Sequence, residues 1–268
     1  TRVALTVGPG RDVDIWIWDL ARKTPTRLTL DEAIDDYPLW TPDGKRIAFF
    51  SNRKNNWALY WRAADGTGKD ELLGFVPARQ LFPSSWSSDG KTMVLVETYV
   101  AGGNPNIGAL SIEGDHNYKP LLREKYRESQ PRVSPNGRWM AYSSDESGKS
   151  EIYVRPFPDV DSGGRWQVSP TGGDSPLWSR DGRELFYRSG DAVMAVPVKT
   201  DPAFSLETPK LLFRGMYLTN SVVSPWDVSP DGKRFLMVKP PGSTGEGPRK
   251  INVVLNWFEE LKQRVPTK

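Results

Sequence analysis

One turn motif recurs five times at near-constant spacing, and it constrains the fold more than any other feature. It reads Pro38-Leu-Trp-Thr-Pro-Asp-Gly44, Ser84-Ser-Trp-Ser-Ser-Asp-Gly90 and Pro131-Arg-Val-Ser-Pro-Asn-Gly137. It returns as Pro176-Leu-Trp-Ser-Arg-Asp-Gly182 and Trp226-Asp-Val-Ser-Pro-Asp-Gly232. Asp43, Asp89, Asn136, Asp181 and Asp231 are separated by 46, 47, 45 and 50 residues. A fixed period of this size marks a repeat architecture in which each unit buries its faces against its neighbours.

Each part of the motif has a physical role. Asp-Gly or Asn-Gly signals a hairpin turn, because glycine adopts positive φ without steric cost. The preceding Ser/Thr and Pro shape entry to the turn, and the Trp or Val before them is placed to face a neighbouring sheet. An apolar strand follows each glycine, such as Arg46-Ile-Ala-Phe-Phe50 or Arg138-Trp-Met-Ala-Tyr142. Next comes a second apolar run, such as Ala58-Leu-Tyr-Trp61 or Glu151-Ile-Tyr-Val154, and then a short one, such as Trp166-Gln-Val-Ser169. Four short strands per repeat, rich in aromatic and β-branched residues, predict an all-β propeller with four-stranded antiparallel blades.

The ends set the blade count. Arg2–Val7, Asp14–Trp18 and Thr26–Thr29 match the second, third and fourth strands of a blade that lacks its first. The last repeat has three recognisable strands. The expectation is one domain over 1–268 with six blades, the first and last incomplete. The blades are placed near 1–34, 35–80, 81–127, 128–172, 173–222 and 223–268. Trp257–Gln263 suits a short amphipathic helix. Thr1 falls inside a strand, so the sequence reads as part of a longer polypeptide.

Composition excludes several function classes. Without cysteine there is no disulfide, thiol nucleophile or thiolate-bound zinc. The net charge is +3, from 36 basic and 33 acidic side chains scattered along the chain. No basic run interleaves with aromatics, so nucleic acid is not expected as a partner. No apolar stretch approaches the roughly 20 residues that span a bilayer.

The chemistry-bearing residues are few. His116, the only histidine, lies in the polar segment Glu113–Tyr118 and reads as a solvent-exposed loop residue. A Ser-His-Asp triad would need it as base, and no Gly-x-Ser-x-Gly elbow accompanies it. Acids cluster just ahead of the turn motif instead. Asp36, Glu128 and Asp174 come from three blades and enter the innermost strand, where they are expected at one mouth of the central channel. Three carboxylates brought within about 6 Å repel unless a cation or protons intervene. A hard ion such as Ca²⁺ suits oxygen ligands, with Gln130, Ser129 and Ser175 as neutral donors. The alternative is that these acids are simply solvated. Tyr37, Phe82, Tyr126, Tyr217 and Trp226 flank the same mouth. With Gln130 and Ser175 they make either a ligand pocket or blade-to-blade packing. Val100–Asn106 and Pro240–Pro248 read as mobile loops.

The repeat resembles the TolB-type, WD-related propeller, whose hallmark is a Trp-Ser-Pro-Asp-Gly turn followed by Lys/Arg and an apolar strand. More narrowly, Asp145-Glu-Ser-Gly148, Glu151–Pro158, Gly164–Ser169, Trp178–Tyr187 and Ile251–Leu261 resemble the C-terminal propeller of bacterial serine/threonine kinase-like proteins. That resemblance implies a periplasmic or extracellular binding domain. The kinase motifs themselves are absent. Three functions follow as expectations. The first is a propeller that binds a protein, peptide or small molecule at the channel mouth. The second is a calcium-assisted hydrolase of ester, lactone or phosphotriester substrates at the same mouth. The third is a structural module that self-associates through the open seam.

Overall fold

The computed structural model describes residues 2–9, 12–53, 56–229 and 231–240, and the backbone of strand Asn252–Val254. The expected helix at 257–263 and most of the 240–248 loop lie outside the described residues.

The described residues form six antiparallel sheets. The first is β1 (Arg2–Val7), β2 (Asp14–Asp19) and β3 (Thr24–Arg27). The second is β4 (Asp35–Trp40), β5 (Arg46–Ser51), β6 (Ala58–Ala63) and β7 (Glu71–Gly74). The third is β8 (Arg79–Trp86), β9 (Thr92–Tyr99), β10 (Asn106–Ser111) and β11 (Tyr118–Leu122). The fourth is β12 (Glu128–Val133), β13 (Trp139–Ser144), β14 (Glu151–Pro156) and β15 (Trp166–Gln167). In the fifth, β16 (Asp174–Trp178) and β17 (Glu184–Ser189) lead to the long β18 (Ala192–Lys199). Both β19 (Ser205–Leu206) and β20 (Lys210–Arg214) pair with β18. The sixth is β21 (Asp227–Val228), β22 (Phe235–Met237) and β23 (Asn252–Val254). The chain divides into two compact units, Thr1–Pro131 and Arg132–Lys268.

The repeated turn is a closed hydrogen-bonded clasp. The hydroxyls of Thr41, Ser87, Ser134, Ser179 and Ser229 donate to the Oδ1 atom two residues on, at 2.5–2.7 Å. That Oδ1 also accepts the backbone N–H of residue 45, 91, 138, 183 or 233 at 3.0–3.2 Å. Each hydroxyl oxygen in turn accepts the N–H five residues on, at 2.9–3.1 Å. The glycine N–H closes the turn on the Ser/Thr carbonyl. Its φ is 66–72°, a left-handed conformation that only glycine takes at low cost. Asn136 does more than its aspartate counterparts: its amide donates to the Thr200 carbonyl at 3.2 Å.

The strand after each clasp is apolar at successive positions because both of its faces are covered. Period-two alternation sends neighbouring residues to opposite sides. Ile47 and Phe49 pack with Ile15 and Ile17 of the first sheet, whereas Ala48 packs with Leu81, Met93 and Leu95 of the third. In the second unit, Leu185 and Tyr187 join Trp139, Ala141 and Ile152, whereas Phe186 joins Trp226, Phe235 and Met237. The motif tryptophans fasten successive sheets. Trp86 Nε1 donates to the Trp40 carbonyl, and Trp178 Nε1 to that of Arg132, at 2.8 and 2.9 Å.

The clasp carries a pH signature. The Ser87 hydroxyl, then the Lys91 N–H, hold the Asp89 carboxyl below the usual carboxylate range. A depressed folded-state pKa gives stability that is present above the unfolded value, about 3.9, and is lost as pH falls through the folded one. Asp89→Asn, the chemistry already used at Asn136, removes this titration. Thermal melts should show wild type and variant converging as pH drops below about 4, relative to their separation at pH 7. A separation that stays constant over that range would contradict the assignment.

Candidate functional site

The innermost strands break register just upstream of the clasp. The shift falls between Asp36 and Leu39 in β4, Pro83 and Ser85 in β8, and Asp174 and Leu177 in β16. Tyr37, Gln130 and Ser175 occupy the same repeat position, six residues before the turn acid or amide, and each has φ 56°. A side chain in this region costs roughly 1–2 kcal/mol. Each is followed by proline, which lacks the N–H that a regular ladder would use and is tolerated in a sheet at bulges. Bulges and strained backbone of this kind re-aim side chains and concentrate at binding sites.

Asp36 supports its bulge directly. Its Oδ1 accepts the Tyr37 N–H at 2.7 Å and the Thr6 hydroxyl at 2.6 Å. Tyr37 and Phe82 do come together, with ring centroids 5.2 Å apart at 89°. Phe50 stacks on Trp57 and tilts against Phe82, both at 4.6 Å, so a cluster of four rings forms in the first unit, with Phe50 and Phe82 buried in it. Phe50 and Trp57 belong to the second sheet's next strand and loop and were missed by inspecting the motif alone.

The other expected site residues are placed as follows. Among the described residues, no three His, Asp or Glu side chains are grouped to hold a metal ion. The three expected carboxylates also differ in repeat position. Asp36 and Asp174 stand seven residues before their turn acids, but Glu128 stands eight before Asn136. Adjacent strand positions face opposite sides. Glu128 corresponds instead to Asp35, whose buried carboxylate binds Arg53 Nη2 at 2.8 and 2.9 Å. Burial pushes the Asp35 carboxyl up, against the pull of Ser51 and Arg53. Gln130, Ser129 and Ser175 are buried. Trp226 is 3% exposed, lies in the core with Phe186 and Phe235, and donates to the Ser175 carbonyl at 3.0 Å. It is a fastener, like Trp86 and Trp178. His116 is half-buried, with its ring edge-on to Trp61 at 6.5 Å, rather than fully solvated.

In the second unit, Asp174 faces Arg188 across β16 and β17. Burial raises the Asp174 carboxyl, while the Ser175 hydroxyl and the Arg188 charge oppose that shift. Arg188 is 3% exposed. Its Nη1 donates to the Tyr217 and Leu218 carbonyls at 3.3 and 3.0 Å, and its Nη2 to Gly190 at 3.1 Å. A lone arginine inside an apolar strand gives no sequence pattern to notice.

Clasp, inter-sheet tryptophan and bulged inner strand together define a propeller-repeat protein. Residues 1–169 match the TolB beta propeller domain, and the chain belongs to that family. It is 25% identical over 181 residues to the uncharacterized peptidase YuxL of Bacillus subtilis, covering 53% of this chain and 27% of that protein. TolB from Acinetobacter baumannii superposes with a TM-score of 0.71 at 22% identity, over 90% of this chain and 58% of that one. An oligogalacturonate lyase in complex with manganese superposes at 0.63 and 12% identity, over 91% and 69%. The chain thus spans about a quarter of the peptidase and under two thirds of that TolB. Identities this low show a shared fold. No helix among the described residues is long and apolar enough to cross a membrane.

The tryptophan fastening can be tested. Trp226→Phe keeps an aromatic ring in the core but removes the donor to a buried carbonyl. An orphaned buried acceptor costs about 1–3 kcal/mol. Chemical denaturation should show that loss with an unchanged denaturant slope; a variant as stable as wild type would refute the fastening role.

Proposed function

We propose that this domain is a non-catalytic binding module whose recognition surface is built on the inner-strand breaks. The observation that carries it is the left-handed backbone at Tyr37, Gln130 and Ser175. Strain of this kind is retained where it positions groups for a ligand. The sequence pattern agrees: the clasp is nearly constant, whereas the residues just upstream differ from sheet to sheet. The partner class is a protein, peptide or small molecule, and the half-buried Tyr37, backed by the buried Phe82, offers it an aromatic ring.

The six sheets are read here as six blades of one propeller domain over 1–268, the first and last incomplete. Self-association through those two sheets is a further consequence of that reading. Resemblance to the propellers of kinase-like proteins favours a periplasmic or extracellular location. The second reading, a metal-assisted hydrolase at Asp36, Glu128 and Asp174, is separated from this one by metal analysis and by melting with and without EDTA, since a bound ion raises the melting temperature.

A photo-crosslinking amino acid at position 37 tests the binding role, with position 22 on an exposed turn as control. In cells, position 37 should capture a discrete partner that position 22 does not. Equal capture at both positions, or turnover of ester or peptide substrates by the purified protein, would overturn the proposal.

A further inference from the structure

The second sheet ends in a strand edge that nothing among the described residues protects. β7 closes the sheet order and pairs only with β6. Its outward backbone groups face no strand, and such an edge is a template for one. The other two sheets of the first unit end, like it, in their last strands in sequence, β3 and β11. Both are blunted: β3 carries Pro25, and β11 carries Lys119 and Pro120. β7, Glu71-Leu-Leu-Gly74, carries neither lysine nor proline.

A bulge shapes the surface beside this edge. Leu59 pairs with Gly74 and Tyr60 with Leu72, so Leu73 is an extra residue in β7. Leu73 packs with Leu81 and Leu110 of the third sheet, and a Cβ on Gly74 would stand 2.9 Å from Leu110 Cδ2. Two consecutive residues thus face the third sheet, which turns Phe75 to the same side as Leu72. There the two line a cleft of about 240 Å³ with Asn56, Ala58, Tyr60 and Asp70. Ala58 and Tyr60 are buried, whereas Leu72 and Phe75 are 54% and 45% exposed.

Size and charge define what fits. The cleft is smaller than the roughly 300–1,000 Å³ of small-molecule pockets and suits one apolar side chain. Asp70 is the one charged residue in its lining. The Asp70 carboxylate shares Arg53 with Asp31 and Asp35, and Arg62 Nη1 stands 3.6 Å from it. Three carboxylates thus meet two guanidiniums, and one negative charge is left over. Asp70 and Leu72 are two residues apart, the spacing of one strand face. An added strand that sets an apolar side chain against Leu72 sets a residue two positions away against Asp70, where a basic side chain is favoured.

We propose that β7 is a docking edge for an extended peptide segment of a protein partner, with an apolar and a basic residue two apart. The segment's main chain pairs with β7. Its apolar side chain enters the cleft beside Leu72 and Phe75, and its basic residue faces Asp70. This surface is separate from the inner-strand breaks and does not depend on them.

The test uses the full chain and the capped peptide Thr-Lys-Thr-Leu-Thr-Lys-Thr, whose lysines flank leucine at the required spacing in either strand direction. Titration should move the NMR amide signals of Glu71–Phe75. Replacing the peptide's leucine by asparagine should weaken binding at least tenfold, and replacing both lysines by glutamate several-fold. Two further peptides are N-methylated, one on the threonines, the other on the lysines and leucine. One should lose binding and the other keep it, because only one edge of an added strand faces β7. Leu72→Lys should weaken the parent peptide at least tenfold and Phe75→Ala several-fold; both side chains are exposed, so both variants keep the fold. No shift at Glu71–Phe75 at millimolar peptide overturns the proposal. So does equal binding of the asparagine peptide, equal binding of the two N-methylated peptides, or unchanged affinity in both variants.

Discussion

Everything in this fold hangs on a hydroxyl that both donates and accepts within six residues of chain. The Ser or Thr of each clasp gives its proton to the turn carboxylate or amide oxygen and takes the N–H of the following strand. Hydrogen bonds to an ionised acceptor are stronger than neutral ones, and four of the five acceptors are carboxylates. The turn is therefore stiff where a bare glycine hairpin would be loose. A stiff turn fixes which residues of the next strand face each side, and that alternation sorts side chains into successive inter-sheet cores. Slipping by one residue would swap Leu185 and Phe186 between two different clusters.

Much of this was legible in the sequence because each clasp residue has one dominant local reason to be there. Asp-Gly turns, apolar runs after them and the recurring tryptophan all translate directly into the observed strands. The inner-strand bulges were harder to read. Nothing about Tyr37, Gln130 or Ser175 as residue types announces positive φ, and a residue before proline ordinarily favours extended backbone. Pro38, Pro131 and Pro176 inside an inner strand were the available sign, since proline there implies a broken ladder. Asp36 and Glu128 stand at different positions of the repeat, seven and eight residues before the turn acid or amide. Arg53 and Arg188 escaped notice because a buried ion pair or a buried arginine depends on long-range packing, not on spacing.

The division between constant and variable parts gives the function its logic. The clasp recurs at the same place in each repeat, and tryptophan N–H to carbonyl bonds join neighbouring sheets within each unit. The residues immediately upstream carry strained backbone, an aromatic patch in the first unit and unmatched polar atoms in the second. Such features reduce stability unless they serve recognition. They sit a few residues from a rigid turn, where a binding group is held with little entropy left to lose.

Amide hydrogen exchange at Arg46, Thr92, Trp139, Glu184 and Arg234 tests the central claim most directly, because these N–H groups are the ones the clasp hydroxyls accept. The five should exchange as one slow class, near the global unfolding limit, and Ser179→Ala should release the Glu184 amide without speeding the other four. Exchange of these amides at the rate of exposed loops would contradict the clasp as the element on which the fold depends.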